Sequence, residues 1–480
     1  MSKRPTRKNK RSLFIICLAI FFILASLAVY ILYPYINVRL ITNFFPGLSS
    51  TVASKQTIYG ENIDMSQILP ASQYYVVNSK GQDLIDIAAS LGINFIRITN
   101  GHRSFNNDAD SIYTKQQWDQ VLDKMQSKGI KADILIEVAS DNTDYYNPQI
   151  QPVYLHLVQK YIDSGVFSHP DVYDVDIKNE PILTDANLRM LQTAHAMIKK
   201  AYPHLKQTIG AWGTLMSPQG PYEQNNYNWT DFAAGQKISG LVDFYSVHLY
   251  GLDSANFGIG LNARLRTKLF LTEVEDGLQT QKPILIEEFG EANGDAVSDQ
   301  DTIGTPQLQA NIYQGMYQAL KELHSSQLMG AVAFDFYSRN QYPDAWAIVK
   351  SHGDYLLPAA YILQEYALGK NNPSLKALTV VNSQSYLVKN ANNYTTKTMH
   401  VHDRIGLRLQ LDTNQNYSIS LSGDGTLQSV ESFHYESVFD SYLAVYQATG
   451  QGTVKVNVKR LSNDINSDNQ TVYKLTVNIQ

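Results

Sequence analysis

The sequence predicts an α/β chain: a (β/α)8 TIM barrel, then a C-terminal β-sandwich domain, behind an N-terminal transmembrane helix. Three observations predict this. From about Ser54 a short apolar strand, a polar loop and an amphipathic helix recur eight times. Near Leu368 that texture gives way to period-two alternation and turn residues. Before both, Leu13 to Tyr33 is apolar except for Ser26 and follows six cations. The implied plan is a basic cytoplasmic segment at 1–12, an anchor at 13–33, a spacer at 34–53, the barrel at 54–369 and the sandwich at 370–480.

About 20 apolar residues span a bilayer as a helix. Lys3, Arg4, Arg7, Lys8, Lys10 and Arg11 mark the cytoplasmic side, which places the rest of the chain outside the cell membrane as a single-pass protein. A cleaved signal peptide with Ser26-Leu27-Ala28 at its site is the competing reading. The apolar run continues past that site to Leu32, which favours the anchor. Residues 1–60 hold eight basic side chains and no acid; the remainder carries 31 basic and 44 acidic, a formal balance of −13. An acidic exported portion argues against nucleic acid as a partner. Cys17 is the only cysteine and lies in the apolar run, so there is no intrachain disulfide, which fits a bacterial exported protein. The 31 Tyr, 17 Phe and 4 Trp suit a sugar-binding surface or a large core alike.

Eight strands are expected at Gln56–Gly60, Asn94–Thr99, Ala132–Val138, Val172–Ile177, Thr208–Trp212, Val242–Tyr250, Pro283–Glu288 and Gly330–Tyr337. Between them, Gln82 to Leu91 and Trp118 to Lys128 have helical spacing and stop at Gly92 and Gly129, C-cap signals. Leu188–Tyr202 and Leu308–Leu323 are further helices. Roughly 310 residues is a normal barrel size. The runner-up, an open doubly wound sheet, usually opens with G-x-G-x-x-G, and no such turn follows an early strand here. Beyond Asn371-Asn372-Pro373, alternating runs such as Ser385–Val388, Ile405–Leu411, Tyr417–Leu421, Thr453–Val458 and Tyr473–Val477 read as strands of a sandwich.

The chemistry centres on Asp176-Ile177-Lys178-Asn179-Glu180-Pro181. An apolar strand stops at an acid, and Pro181 biases Glu180 towards an extended backbone. The seventh strand, Pro283-Ile284-Leu285-Ile286-Glu287-Glu288-Phe289-Gly290, also ends in acid. The ends of strands four and seven face each other across a barrel mouth. Two carboxylates about 5–5.5 Å apart there are what retaining glycoside hydrolysis requires. Side chains alternate on a strand, so one of Glu287 and Glu288 should face the mouth and the other a cation or water outside.

Asn179-Glu180-Pro181 and Ile286-Glu287-Glu288-Phe289-Gly290, whose glutamates Glu180 and Glu288 stand 108 positions apart, resemble the clan A (β/α)8 retaining glycoside hydrolases, nearest the cellulase-like family five. Gly92-Ile93-Asn94-Phe95-Ile96-Arg97 resembles its second strand, Val247-His248-Leu249-Tyr250 its His-x-Tyr, and Tyr59-Gly60-Glu61-Asn62 its first strand. The resemblance implies Glu180 as acid/base, Glu288 as nucleophile, and Asn179 as donor to the sugar 2-hydroxyl. It implies Arg97 and Tyr250 as partners of the nucleophile and His248 as a residue lining the sugar site. The family's third-strand histidine is absent. Phe334-Asp335-Phe336-Tyr337 replaces the tryptophan that closes strand eight, with Trp346 on the next loop as a substitute. Trp212, Tyr337, Trp346 and His102 are candidates for sugar contact, with Asn100 and Arg103 beside His102.

No cofactor or metal is expected. His400-Val401-His402-Asp403 looks like a ligand cluster but alternates along an expected strand, with no third histidine nearby. Asp174-Val175-Asp176 mimics the Asp-x-Asp of nucleotide-sugar transferases but lies inside strand four. The expected function is a membrane-anchored retaining β-glycoside hydrolase acting on an oligo- or polysaccharide. The rival is a catalytically silent glycan-binding or scaffolding barrel.

Overall fold

The computed structural model describes residues 57–99, 112–136, 150–181, 184–210, 236–250, 264, 267–268, 280–294, 304–323, 327–337, 346–369, 385–412, 414–436, 441–461 and 470–480. Within them lie the eight expected strands. They are β1 (Ile58–Asp64), β2 (Phe95–Thr99), β3 (Lys131–Leu135), β4 (Val172–Asn179), β5 (Lys206–Gly210), β6 (Tyr245–Leu249), β7 (Ile284–Phe289) and β8 (Leu328–Ala333). They form one parallel sheet in the order β5-β4-β3-β2-β1-β8-β7-β6. The β5–β6 seam is bridged by Asp243 N donating to Gln207 O at 2.7 Å and Thr208 Oγ1 donating to Phe244 O at 3.1 Å.

Alternation sorts the side chains. Ile96, Ile98, Val175, Ile177, Ile284 and Ile286 face out into the large core shared with the helices. Phe95, Phe244, Leu285, Met329 and Val332 fill the barrel's interior below its mouth. The helices follow from local signals. Asp83 caps Leu84–Ser90, which ends at Gly92 with φ +81°. Thr114 and Gln117 form a capping box on Lys115–Ser127, which ends at Gly129 with φ +72°. Thr184 caps Asp185–Ala201. Ile150–Ser164, Pro306–Leu323 and Pro358–Leu368 are also helical.

Strand β8 is shorter than expected. The chain turns away at Phe334, whose N donates to Phe289 O at 2.8 Å, and Phe336 N reaches Asn62 O at 3.2 Å. A two-residue hairpin follows, β9 (Val349–Lys350) with β10 (Tyr355–Leu356).

The C-terminal region has two four-stranded sheets over one core. One is β11 (Ser385–Lys389), β13 (Arg404–Leu409), β16 (Ser441–Gly450) and β15 (Thr426–Glu436). The other is β12 (Thr395–Met399), β18 (Gln470–Ile479), β17 (Gly452–Leu461) and β14 (Asn416–Gly423). His400 to Asp403, expected on a strand, instead forms the turn between β12 and β13. His402 has φ +80°, and Asp403 Oδ2 accepts from His400 N at 2.8 Å. Residues 13–33 and Asn371-Asn372-Pro373 lie outside the described residues, among which no helix is long and apolar enough to cross a membrane.

Candidate active site

The ends of β4 and β7 are both irregular, and the irregularities aim the site. In β4 the register to β5 slips between Asp176 and Asn179, so one extra residue sits on β4. Asp176 and Asn179 therefore both point inward, where strict alternation would separate them. Glu180 then turns with φ +41°, and its N donates to Gly210 O at 2.9 Å. The extended backbone expected from Pro181 is not adopted. That left-handed conformation costs of order 1–3 kcal/mol in a non-glycine residue, and it swings the carboxylate over the mouth. Gly210 also leaves room for the Arg97–Asp176 pair beside this turn: a Cβ there would stand 2.6 Å from Asp176 Oδ2 and 3.0 Å from Arg97 Nη2.

In β7 the register to β6 slips between Ile286 and Glu288, leaving Glu287 as the extra residue. Both glutamates consequently face in, contrary to the expectation that one would point out. Glu287 is fully buried. It accepts from Ser246 Oγ and lies 3.7 Å from Arg97 Nε and 3.6 Å from His248 Nε2. It did find cations, but inside the barrel, one level below Glu288.

Arg97, from β2, stands at the centre with no exposed surface. Its Nη1 donates to Glu288 Oε1 at 2.5 Å and to Asn62 Oδ1 at 3.0 Å. Its Nη2 donates to Asp176 Oδ2 at 2.5 Å and Asn179 Oδ1 at 2.8 Å. With its oxygen engaged, Asn179 keeps its amide NH2 for a ligand. Tyr250 donates to the other oxygen of Glu288 at 2.7 Å. Glu288 is thus held through both oxygens, as the resemblance implied.

His248 is more than a lining residue. It is fully buried, with Nδ1 2.7 Å from Glu180 Oε1 and 3.4 Å from Glu288 Oε2. One donor atom each from Glu180, His248 and Glu288 lies within 4.8 Å of the others. Glu180 remains the more open carboxylate, its side chain 29% exposed against 9% for Glu288. Burial alone would depress the imidazolium, but Glu288, Glu180 and Glu287 around it push it up to about 10. Burial likewise opposes charge on Glu180, and the hydrogen bond and charge of His248 more than offset it, holding Glu180 below its ordinary value. The two side chains form a pair that carries one proton.

Below them Asp133, Asp174 and Glu287 converge, again within 4.8 Å. Burial and then neighbouring acids push Asp133 and Asp174 well above the usual carboxylate range, and Asp176 up to about 6. Arg97 and His248 supply the positive charge. The sequence reading missed Asn62, Asp133, Asp176 and Ser246 as parts of this network. A partial signal existed: Asp174-x-Asp176 puts two acids on one face of an apolar strand.

The aromatic candidates divide. Trp346 is 6% exposed and meets the Tyr250 ring edge-on, with centroids 5.2 Å apart. It braces the tyrosine rather than offering an open face. Tyr337 is not a sugar contact. It bridges Val349, is 3% exposed and belongs to the core outside the barrel, because the chain has already left β8 at Ala333. Trp212 and His102, with Asn100 and Arg103, lie outside the described residues.

Two glutamates thus converge at the carboxyl ends of β4 and β7 of a parallel barrel, and one of them is clamped by arginine and tyrosine. The model of the cellulase family, glycosyl hydrolase family 5, matches residues 57–329, and the chain belongs to that family. Among curated proteins no relative matches the chain. Among solved structures, a GH2 β-galacturonidase from Eisenbergiella tayi bound to galacturonate is similar at 16% identity and TM-score 0.48, covering 66% of this chain and 52% of that one. The chain thus spans about half the length of that protein. A GH5_18 protein from Streptomyces cattleya in complex with GlcNAc gives 11% and 0.44, over 64% and 77% of the two chains. A family 1 β-glucosidase from Thermotoga maritima gives 12% and 0.43, over 65% and 97%.

Proposed function

We propose that the chain is a membrane-anchored, extracytoplasmic retaining β-glycoside hydrolase that cleaves a β-linked oligo- or polysaccharide through a glycosyl-enzyme. The observation that carries this is that one oxygen of Glu180 and one of Glu288 lie within 4.8 Å of each other around His248. So close an approach favours direct attack by a carboxylate; inverting enzymes hold the two groups roughly 6.5–9.5 Å apart, leaving room for a water. Glu288, its lone pairs aligned by Arg97 and Tyr250, attacks the anomeric carbon as the glycosidic C–O bond breaks. Glu180 gives its proton to the departing oxygen. Water then enters, Glu180 takes its proton, and the ester bond to Glu288 breaks to release the sugar with retained configuration.

Leu13–Tyr33 behind six cations supports the anchor and the extracellular location, and the single cysteine, Cys17, supports a bacterial source. The rival, a silent glycan-binding barrel, has no use for an arginine 2.5 Å from a mouth carboxylate. The test is hydrolysis of a panel of aryl β-glycosides and β-glucans or mannans by the full chain, beside Glu180→Gln and Glu288→Gln. Wild type should turn over at least one substrate, with the β-anomer released first by proton NMR. Glu288→Gln should lose about 10⁴-fold or more in kcat. Equal inertness of all three proteins across the panel would leave the binder, and an initial α-anomer would mean inversion.

A further inference from the structure

We propose that Arg404, in the C-terminal sandwich, is a positioning residue for the nucleophile. It braces from behind the loop that follows β7, which makes the sandwich part of the catalytic apparatus. The proposal rests on the assignment of Glu288 as nucleophile.

Arg404 opens β13 and is only 9% exposed. Its Nη1 donates to Asn293 O at 3.1 Å, a contact across 111 residues between the two domains. The loop is shaped to receive it. Gly294 has φ +84°, and a Cβ there would stand 2.5 Å from Arg404 Nη1 and 2.9 Å from its Cδ. An alanine at 294 would therefore evict the guanidinium as well as strain the backbone.

What Arg404 supports is tied to the nucleophile in four steps. Asn293 is fully buried, and its Nδ2 donates to Ala347 O at 3.0 Å. Gln309, also fully buried, donates from Nε2 to Glu291 O at 3.1 Å and Trp346 O at 2.7 Å. These two amides fasten residues 291–293 to residues 346–347. Trp346 and Ala292 form one buried apolar cluster with Tyr250, and Tyr250 donates to Glu288 at 2.7 Å. Removing the guanidinium takes this donor from the buried Asn293 carbonyl and weakens the loop's hold on residues 346–347. A shift there moves Trp346, and Tyr250 with it, away from Glu288. Misplacement of about 1 Å far from the chemistry can lose on the order of a hundredfold in rate while substrate binding survives.

The test uses the full chain with Arg404→Met, which keeps the stem over Gly294 but has no donor, and Arg404→Lys, which restores one. Tyr394→Ala, at a 70%-exposed sandwich position, is the control. Arg404→Met should keep a melting temperature near wild type and a KM within about twofold, while kcat falls about tenfold or more. Arg404→Lys should recover part of the loss. Amide exchange should quicken at residues 288–294 and 346–350 and stay unchanged in the other sandwich strands. A wild-type kcat in Arg404→Met overturns the proposal. So does an equal loss in both Arg404 variants that tracks a lowered melting temperature. If wild type hydrolyses nothing, the glycosidase reading falls by itself. The exchange measurement then decides on the brace alone, and unchanged exchange at those two segments overturns it.

Discussion

His248 decides how Glu180 can act. A general acid needs its proton at working pH, yet Glu180 is held below its ordinary value by the imidazolium 2.7 Å away. In the proposed mechanism the pair resolves this: transfer of the His248 proton along that hydrogen bond would make Glu180 the acid at the moment of bond cleavage. The surrounding carboxylates push His248 up to about 10 against its burial, so the pair should keep its proton through the neutral and mildly alkaline range. The alkaline limb of kcat/KM reports loss of the essential acid's proton. In His248→Gln, Glu180 must hold that proton alone. Burial then raises its pKa with no imidazolium to oppose it, but no histidine stores the proton at higher pH. The alkaline limb should therefore move to lower pH by more than one unit, with smaller loss of activity below it. An alkaline limb that stays where wild type has it would assign the acid's proton store to another group.

At the scale of elements, the bulges and the first strand matter most. The eight strands and their two terminal acids were legible because each is a short apolar run that stops at a charged or turn residue. The inward aim of both Glu287 and Glu288 was not. Register is a property of two strands together, and the slip beside Glu287 leaves no mark in the sequence of β7 alone. The positive φ of Glu180 was hidden for the same reason, since its support is a hydrogen bond to Gly210 on the next strand. Strands β12, β15 and β16 were not singled out. Thr395–Met399 is mostly polar with only Met399 buried, and the β15 ladder to β16 is broken by three register shifts. Glu61 on β1 shows what a hidden acid does to stability. It faces out from the barrel towards Tyr317 and Tyr59, is fully buried and, among the described residues, has no hydrogen-bond partner on either oxygen. Burial raises its pKa well above 4.5. The folded chain thus keeps a proton that the unfolded chain has released, so the Glu61 contribution to stability is most favourable below pH 4.5 and falls as pH rises above it. Glu61→Met should stabilise the protein at pH 8 by roughly 1–3 kcal/mol, and by less at pH 5, in urea unfolding. Equal effects at the two pH values would mean that Glu61 is already ionised and paired in the folded state.

Across the whole molecule, charge and apolar sequence are segregated. All eight basic residues of positions 1–60 stand on either side of the apolar run, and the portion beyond carries a formal balance of −13. A net-acidic portion gains no overall electrostatic attraction to an anionic membrane surface, and charges farther from it than a Debye length of about 8 Å are screened in any case. Charge thus gives that portion no net pull to the bilayer. If it is membrane-bound, the apolar run must do it, and the bond must resist salt. The alternatives separate cleanly in fractionation of cells expressing the full chain. An uncleaved anchor predicts that full-length protein stays with membranes through molar salt and alkaline carbonate and leaves only with detergent. It also predicts that protease added to spheroplasts removes the barrel. A variant beginning at Ser54 behind a cleavable export signal should be soluble outside the membrane. A shortened mature protein, ending the apolar run near Ala28, would assign Ser26-Leu27-Ala28 to a signal-peptide cleavage site. The glutamate chemistry would then be free to act away from the cell surface.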